Sequence, residues 1–321
     1  MNTKLEILKY VEKYTDILDE IGNIKDRVLI EDSSKNLFNK INNKLNSRKA
    51  RLKKPKFEVA IIGLEKAGKS TFANALLKDD YLPQAPNRCT YTTTTIESSK
   101  ENNRATISFY TKNEFLESFQ ATCKDIELQN IDFETITLDS FEKILQEKSS
   151  LFQNSNNADD IRAIIKNRDD IKKYLDKSDE IIESNIKNSI KPFIVDEKIA
   201  RAVKNINILS NEFKDFDDMV LYDVPGFDSP TKFHMEQAKK YLLRADVVIL
   251  LVSIADNVSF TKMLADYIKD VKDEDGTTLK RKLIIGATKF DFHIHNNKNE
   301  DLQGIEERKE LLIKECKKFD I

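Results

Sequence analysis

The sequence predicts an α/β fold: a mainly parallel sheet flanked by helices, with a helical segment in front of it and a helical insertion within it. Three observations carry this. Apolar runs at 57–62, 219–222, 246–252 and 282–287 read as near-continuous hydrophobic strands, the pattern of strands buried on both faces. Helix-period segments alternate with these runs in the C-terminal third. The first run leads directly into Gly63-Leu64-Glu65-Lys66-Ala67-Gly68-Lys69-Ser70, a G-x-x-x-x-G-K-S loop, and 70–77 leave it with helical character.

Residues 4–30 read as one amphipathic helix, because Leu8, Val11, Tyr14, Leu18, Ile21, Ile24 and Val28 recur at gaps of three and four. Asp32-Ser33-Ser34 supply capping residue types, and a second helix follows to about Ser47. Both helices precede the first strand, so the sheet does not need them. Their apolar stripe packs either on the globular domain or in a helical bundle. The expected division is therefore a helical segment at 1–54 and a nucleotide-binding domain at 55–321.

After the loop come a turn at 81–86 and the β-branched run Thr90-Tyr91-Thr92-Thr93-Thr94-Thr95, then an alternating strand at 105–110. Residues 112–194 are mostly helical by pattern, broken by a polar loop at 153–157, and form the insertion. Runs at 203–209 and 219–222 read as a strand pair joined by a polar turn. Helices are expected near 233–244, 258–271 and 301–318, with no internal repeat.

Composition excludes several classes. With 53 basic against 55 acidic residues, a net charge of −2 gives no global attraction to nucleic acid or anionic lipid. The basic run at 48–54 reads as a solvated linker before a binding patch. Cys89, Cys123 and Cys316 are too scattered for a disulfide framework or a zinc site, which fits a reduced, cytoplasmic setting. The charged first twenty residues are no signal peptide, and the apolar stretch at 245–254 is too short to span a membrane, so a soluble chain is expected. His293 and His295 lack a third nearby metal ligand, and no Ser-His-Asp or Cys-His arrangement is visible.

The chemistry rests on three motifs in order. In the first, loop amides and a helix N-terminus cradle phosphate oxygens, Lys69 neutralises the β- and γ-phosphates, and the Ser70 hydroxyl ligates Mg²⁺. In the second, Asp223-Val224-Pro225-Gly226, a carboxylate at a strand end holds Mg²⁺ through water and the Gly226 amide senses a γ-phosphate. In the third, Thr288-Lys289-Phe290-Asp291, the Asp291 carboxylate matches the two N–H donors on the edge of guanine, and the Lys289 stem lies along the base. Together they select GTP over ATP.

These motifs resemble the G1, G3 and G4 elements of the GTPase branch of P-loop NTPases, and the stretch 63–90 resembles the dynamin superfamily, most of all a bacterial dynamin-like protein. There A-G-K-S-[ST] is followed by a Leu-Pro pair and a loop threonine; here these are Ala67-Gly68-Lys69-Ser70-Thr71, Leu82-Pro83 and Thr90. Asp223-Val224-Pro225-Gly226 and Thr288-Lys289-Phe290-Asp291 match the family's D-x-P-G and T-K-x-D, and the likeness covers about residues 55–300. The resemblance implies Mg²⁺-dependent hydrolysis of GTP to GDP, coupled to dimerisation and membrane remodelling. The partner would be a second copy or a paralogous dynamin-like protein meeting the nucleotide face; lipid contact would come through regions outside this chain. It places the protein in the cytoplasm or peripherally at the inner face of the cell membrane. A GTP-dependent switch that recruits an effector, and a pseudo-GTPase that only binds nucleotide, are the alternatives.

The resemblance also makes Thr90 the switch I threonine, ligating Mg²⁺ and orienting the attacking water, with Thr92, Thr93, Thr94 and Thr95 as nearby competitors. Two positions depart from the family. Where dynamins carry Gln-Ser in mid-loop, this chain has Glu65-Lys66. Lys66 lies where atlastins and guanylate-binding proteins carry an internal arginine finger, so its ammonium either supplies transition-state charge or points to solvent. Glu65 is repulsive near a γ-phosphate unless it faces a partner or pairs with a cation. The last strand and the loop that backs guanine are expected to be missing after Asp291.

Overall fold

Strand β1 (Phe57–Gly63) is the axis of the sheet. It is buried along all but its first residue and runs parallel to a neighbour on each side. Its alternation divides the core. Val59 and Ile61 face one apolar cluster with Ala73, Leu77 and Phe193, while Ala60 and Ile62 face another with Leu242, Leu264 and Leu312. A strand feeding two cores cannot tolerate a polar face, which is why the run is apolar from Val59 onward; Glu58, at its entry, is buried but paired with Lys54 and Arg244. The computed structural model describes residues 3–25, 32–64, 66–82, 92–148, 150–153, 155–224, 232–255, 260, 262–273, 276–289 and 298–321.

In chain order, α1 (Thr3–Lys25) and α2 (Asp32–Lys53) precede β1. Then come α3 (Lys69–Leu77), β2 (Thr93–Ser98), β3 (Arg104–Phe109), α4 (Lys112–Asp125), α5 (Leu138–Gln146), α6 (Ser150–Gln153), α7 (Asn156–Lys166), α8 (Arg168–Lys172), β4 (Glu180–Ile182) and α9 (Ile186–Val195). The chain continues through β5 (Val203–Ser210), β6 (Met219–Asp223), α10 (Lys232–Arg244), β7 (Val247–Ser253), α11 (Lys262–Asp270), β8 (Leu283–Thr288) and α12 (Lys298–Lys318). Among the described residues the sheet has eight strands in the order β4-β3-β5-β2-β6-β1-β7-β8. The block β6-β1-β7-β8 is parallel throughout, and β2 is parallel to β5 but antiparallel to β6.

The expected strand pair of 203–209 and 219–222 is corrected. Strands β5 and β6 do not touch as neighbours; β2 lies between them, with Ile96 opposite Ile208 on one side and Leu221 on the other. Burial explains the insertion. The threonine-rich strand is not an edge: Thr92, Thr93 and Thr94 are buried, and β-branched side chains suit a strand with neighbours on both flanks. A short strand, β4, which the pattern did not predict, pairs with β3 at the far edge.

The insertion has its own core. Phe133 packs edge-on against Phe115 and Phe119 at ring separations of 5.3 and 5.4 Å, with Phe141 and Leu145 buried beside them. Thr111 and Glu114 form a reciprocal capping box at the start of α4. The polar loop expected at 153–157 is shorter than predicted, because Ser155 caps α7 by accepting from the Ala158 amide at 3.2 Å and Asn156 is already helical. A buried ion pair, Arg201 to Asp160 at 3.2 Å, ties α7 to the turn that leads into β5.

Helices α1 and α2 pack against each other, joined by Lys53 and Glu12 at 2.9 Å. Helix α2 runs through the basic stretch rather than stopping near Ser47, and that stretch is no solvated linker. Arg51 donates to Asp273 at 3.0 Å and to Asp246 at 3.3 Å, and Lys54 donates to Glu58 at 3.2 Å. These pairs dock the last turn of α2 at the edge of the sheet where β1 and β7 begin. Among the described residues, no helix is long and apolar enough to cross a membrane.

Candidate nucleotide site

The carboxyl ends of β1, β6, β7 and β8 lie along one edge of the parallel block, where ligands of open α/β sheets bind. β1 delivers Gly63. A Cβ there would meet the Leu251 carbonyl oxygen of β7 at 2.5 Å, so only glycine lets the strands close up before the loop turns. Gly68 ends the loop at φ +86°, a left-handed conformation that glycine adopts without steric cost. Helix α3 then starts at Lys69, with its N-terminus at this edge.

The Lys69 ammonium donates to the carbonyls of Gly63 at 3.1 Å and Leu64 at 3.0 Å, and the side chain is buried. Ser70 Oγ donates to Asp223 Oδ2 at 3.4 Å. Asp223 ends β6, is 1% exposed, and its Oδ1 is buried without a hydrogen-bond partner. Burial pushes its carboxyl up to about 6, against the pull of the Lys69 charge and the Ser70 hydrogen bond. An orphaned buried carboxylate oxygen beside a hydroxyl is costly unless something fills the gap. Hard oxygen donors of this kind fit Mg²⁺, so Ser70 and Asp223 are the described residues that would hold it.

At the end of β8, Thr288 Oγ1 donates to the Ala67 carbonyl at 2.8 Å and to that of Val252 at 3.3 Å. Its backbone carbonyl accepts from the Ile254 amide at 3.1 Å. One hydroxyl thus ties the third motif to the first. Lys66 and Lys289, on the two loops so joined, both take a left-handed backbone, at φ +60° and +62°. Such angles are costly for residues other than glycine and concentrate at functional sites. The Lys66 side chain is exposed, as is that of Thr71, while Lys289 is half-buried.

The structure therefore brings Gly63, Ala67, Gly68, Lys69, Ser70, Asp223 and Thr288 to one edge. Glu65, Thr90, Gly226 and Asp291 lie outside the described residues, as do His293 and His295. Among the described residues, no group of three or more His, Cys, Asp or Glu side chains could hold a metal. Sequence reasoning passed over Asn74, whose buried amide grips the backbone of Leu82. The available signal was a lone amide inside the apolar helical stretch 72–77.

Residues 59–287 match the model of the dynamin family. The chain is 28% identical over 203 residues to dynamin-like protein A of Bacillus subtilis, a match covering 62% of this chain and 16% of that protein. Two solved structures of an oligomerised bacterial dynamin pair, described as providing a mechanism for the long-range sensing and tethering of membranes, share its fold. They superpose with TM-scores of 0.50 and 0.52 at 18% identity, over 97% of this chain and 43% of theirs. The chain thus spans less than half the length of these relatives. The family match spans residues 59–287, most of the chain and of its sheet, and the chain belongs to the dynamin family.

Proposed function

We propose that this chain is the GTPase portion of a bacterial dynamin-like protein, hydrolysing GTP to GDP and phosphate with Mg²⁺. The observation that carries the reading is the Ser70–Asp223 pair with its orphaned Oδ1, set beside Lys69 at the carboxyl edge of the parallel strands. Ser70 and Asp223 would hold Mg²⁺, which when bound would supply positive charge against the phosphates. The protein's own part is positioning and electrostatics. Lys69, released from the Gly63 and Leu64 carbonyls, neutralises phosphate charge. Amides of the loop and of the first turn of α3 hold the phosphate chain. Thr90 orients the attacking water, Gly226 senses the γ-phosphate, Asp291 selects guanine, and Lys66 adds cationic charge as the β–γ bond breaks.

In this reading residues 1–54 are a helical neck on a GTPase domain at 55–321 that carries the insertion at 112–194. Self-association through the nucleotide face, and membrane tethering by parts of the protein outside this chain, are proposed from the kinship with the bacterial dynamin pair. Phosphate release measured with GTP and with ATP, each with Mg²⁺ and with EDTA, tests the core claim. Release should require GTP and Mg²⁺ and be lost in Lys69→Ala. Release no faster in the wild type than in Lys69→Ala would refute it.

A further inference from the structure

Asn74 lies in the middle of α3, one helical turn beyond Ser70 and so on the same face. It is 3% exposed, although Phe72, Ala73, Ala75, Leu76 and Leu77 around it in the chain are apolar. Its Nδ2 donates to the Leu82 carbonyl at 2.7 Å, and its Oδ1 accepts from the Leu82 amide at 2.8 Å. The two bonds fix the orientation of the amide, since a flipped Asn would set donor against donor and acceptor against acceptor. A single side chain thus closes both backbone groups of a residue that is itself 3% exposed. An apolar residue of the same size would leave two buried backbone groups unpaired, a cost no gain in packing at one site offsets.

The same segment is held from its other side. Tyr81 is buried, and its hydroxyl accepts from Asn103 Nδ2 at 2.9 Å. Asn103 Oδ1 in turn accepts from the Asn211 amide at 2.7 Å, so the turn between β2 and β3 and the end of β5 are linked to it. Residues 81 and 82 are therefore a fixed post between the phosphate-loop helix and the mixed half of the sheet. Pro83 comes next in the sequence. It restricts the backbone of Leu82 and donates no hydrogen bond of its own, so among the described residues the Asn74 clasp is the side-chain grip nearest in sequence before the stretch that carries Thr90.

We propose that Asn74 is a positioning residue for hydrolysis: by clasping Leu82 it fixes where the chain enters residues 83–91 relative to Ser70 and Asp223. The proposal rests on the GTPase reading above. Asn74 touches no phosphate; it acts through Leu82, and its effect falls on the reaction step rather than on holding GDP. A merely structural amide would alter stability and leave turnover per folded molecule alone.

The decisive variant is Asn74→Asp, which keeps shape and the acceptor for the Leu82 amide but loses the donor to its carbonyl. Its kcat for GTP should fall roughly ten- to a hundred-fold, the range expected for misplacement of a catalytic segment, with GDP affinity within about three-fold of wild type. Tyr81→Phe, which leaves the Asn74 clasp intact and removes the outer hydrogen bonds of the hydroxyl, should give a smaller drop of the same kind and serves if Asn74→Asp does not fold. Asn74→Gln, with both amide functions on a longer stem, should recover part of kcat. Wild-type kcat in folded Asn74→Asp, or in Tyr81→Phe if only that variant folds, would overturn the proposal. If the wild type itself releases no phosphate, the GTPase reading fails, and the clasp is judged by trypsin cleavage after Arg88. Faster cleavage in Asn74→Asp supports a fixed entry, and an unchanged rate overturns it.

Discussion

The Thr288 hydroxyl donates to the Ala67 carbonyl at 2.8 Å, so the strand end that leads to Asp291 and the loop that leads to Lys69 move as one body. On the proposed GTPase reading, this bridge sets the spacing of the base and phosphate contacts before a nucleotide binds. Thr288→Val keeps the shape and removes the donor. It should weaken GDP binding by about 1 kcal/mol, close to five-fold in Kd, while Thr288→Ser stays near wild type. Titration with a fluorescent GDP analogue measures this, and equal affinity of Thr288→Val and wild type would show that the bridge does not set the spacing.

Asp223 gives a pH signature. Burial raises its carboxyl from 3.8 to about 6, so the folded protein holds this proton more tightly than the unfolded chain. The stabilisation from the protonated form is therefore complete below the ordinary carboxylate range and is lost as pH rises through about 6. By pH 7.5 the ionised group costs on the order of 2–3 kcal/mol without a cation. Asp223→Asn should thus raise the Tm of the nucleotide-free protein at pH 7.5 by about 5 °C and much less at pH 4.5. The same variant should lose Mg²⁺-dependent turnover. Thermal melts across pH test the first half; a lower Tm for Asp223→Asn at pH 7.5 would contradict it.

Lys66 combines an exposed ammonium with a left-handed backbone at φ +60°. Lys66→Gly relieves the backbone and removes the charge, and Lys66→Ala removes only the charge. The glycine variant should be more stable than wild type by about 1 kcal/mol. Both variants should lower kcat by about ten-fold or more with little change in GTP affinity, as expected for charge that matters chiefly in the transition state. Wild-type turnover should be equal in sodium and potassium salts. Potassium stimulation of the wild type, or full turnover in Lys66→Ala, would remove Lys66 from the chemistry.

What the sequence revealed follows from what hydrophobic pattern encodes. A run such as 57–62 reports burial on both faces, and so β1, β7 and β8 were legible with their helices. Pattern does not report which strand lies beside which. Runs 203–209 and 219–222 are close in sequence and read as partners, yet β2, more than a hundred residues upstream, takes the place between them. The site divides the same way. Ser70 and Asp223 were legible because each sits at a strand or helix end in a motif of fixed order. The hydroxyl of Thr288 on Ala67 was not, because that partner exists only once the strands are stacked, and the amide of Asn74 on Leu82 was not, because hydrophobic pattern does not report how the chain turns back after α3.

Arg201 and Asp160 test how the insertion is fastened. Their side chains are 6% and 5% exposed and meet at 3.2 Å between α7 and the turn before β5. Two charges withdrawn from water this far contribute little net stability as a pair, but one left behind is expensive. Arg201→Met should therefore destabilise by about 3–5 kcal/mol, because it leaves the Asp160 carboxylate buried without its guanidinium. Arg201→Met/Asp160→Leu should recover most of that loss. The midpoint of urea unfolding reads both variants, and a double variant no more stable than the single one would mean that the pair holds the insertion by more than charge balance.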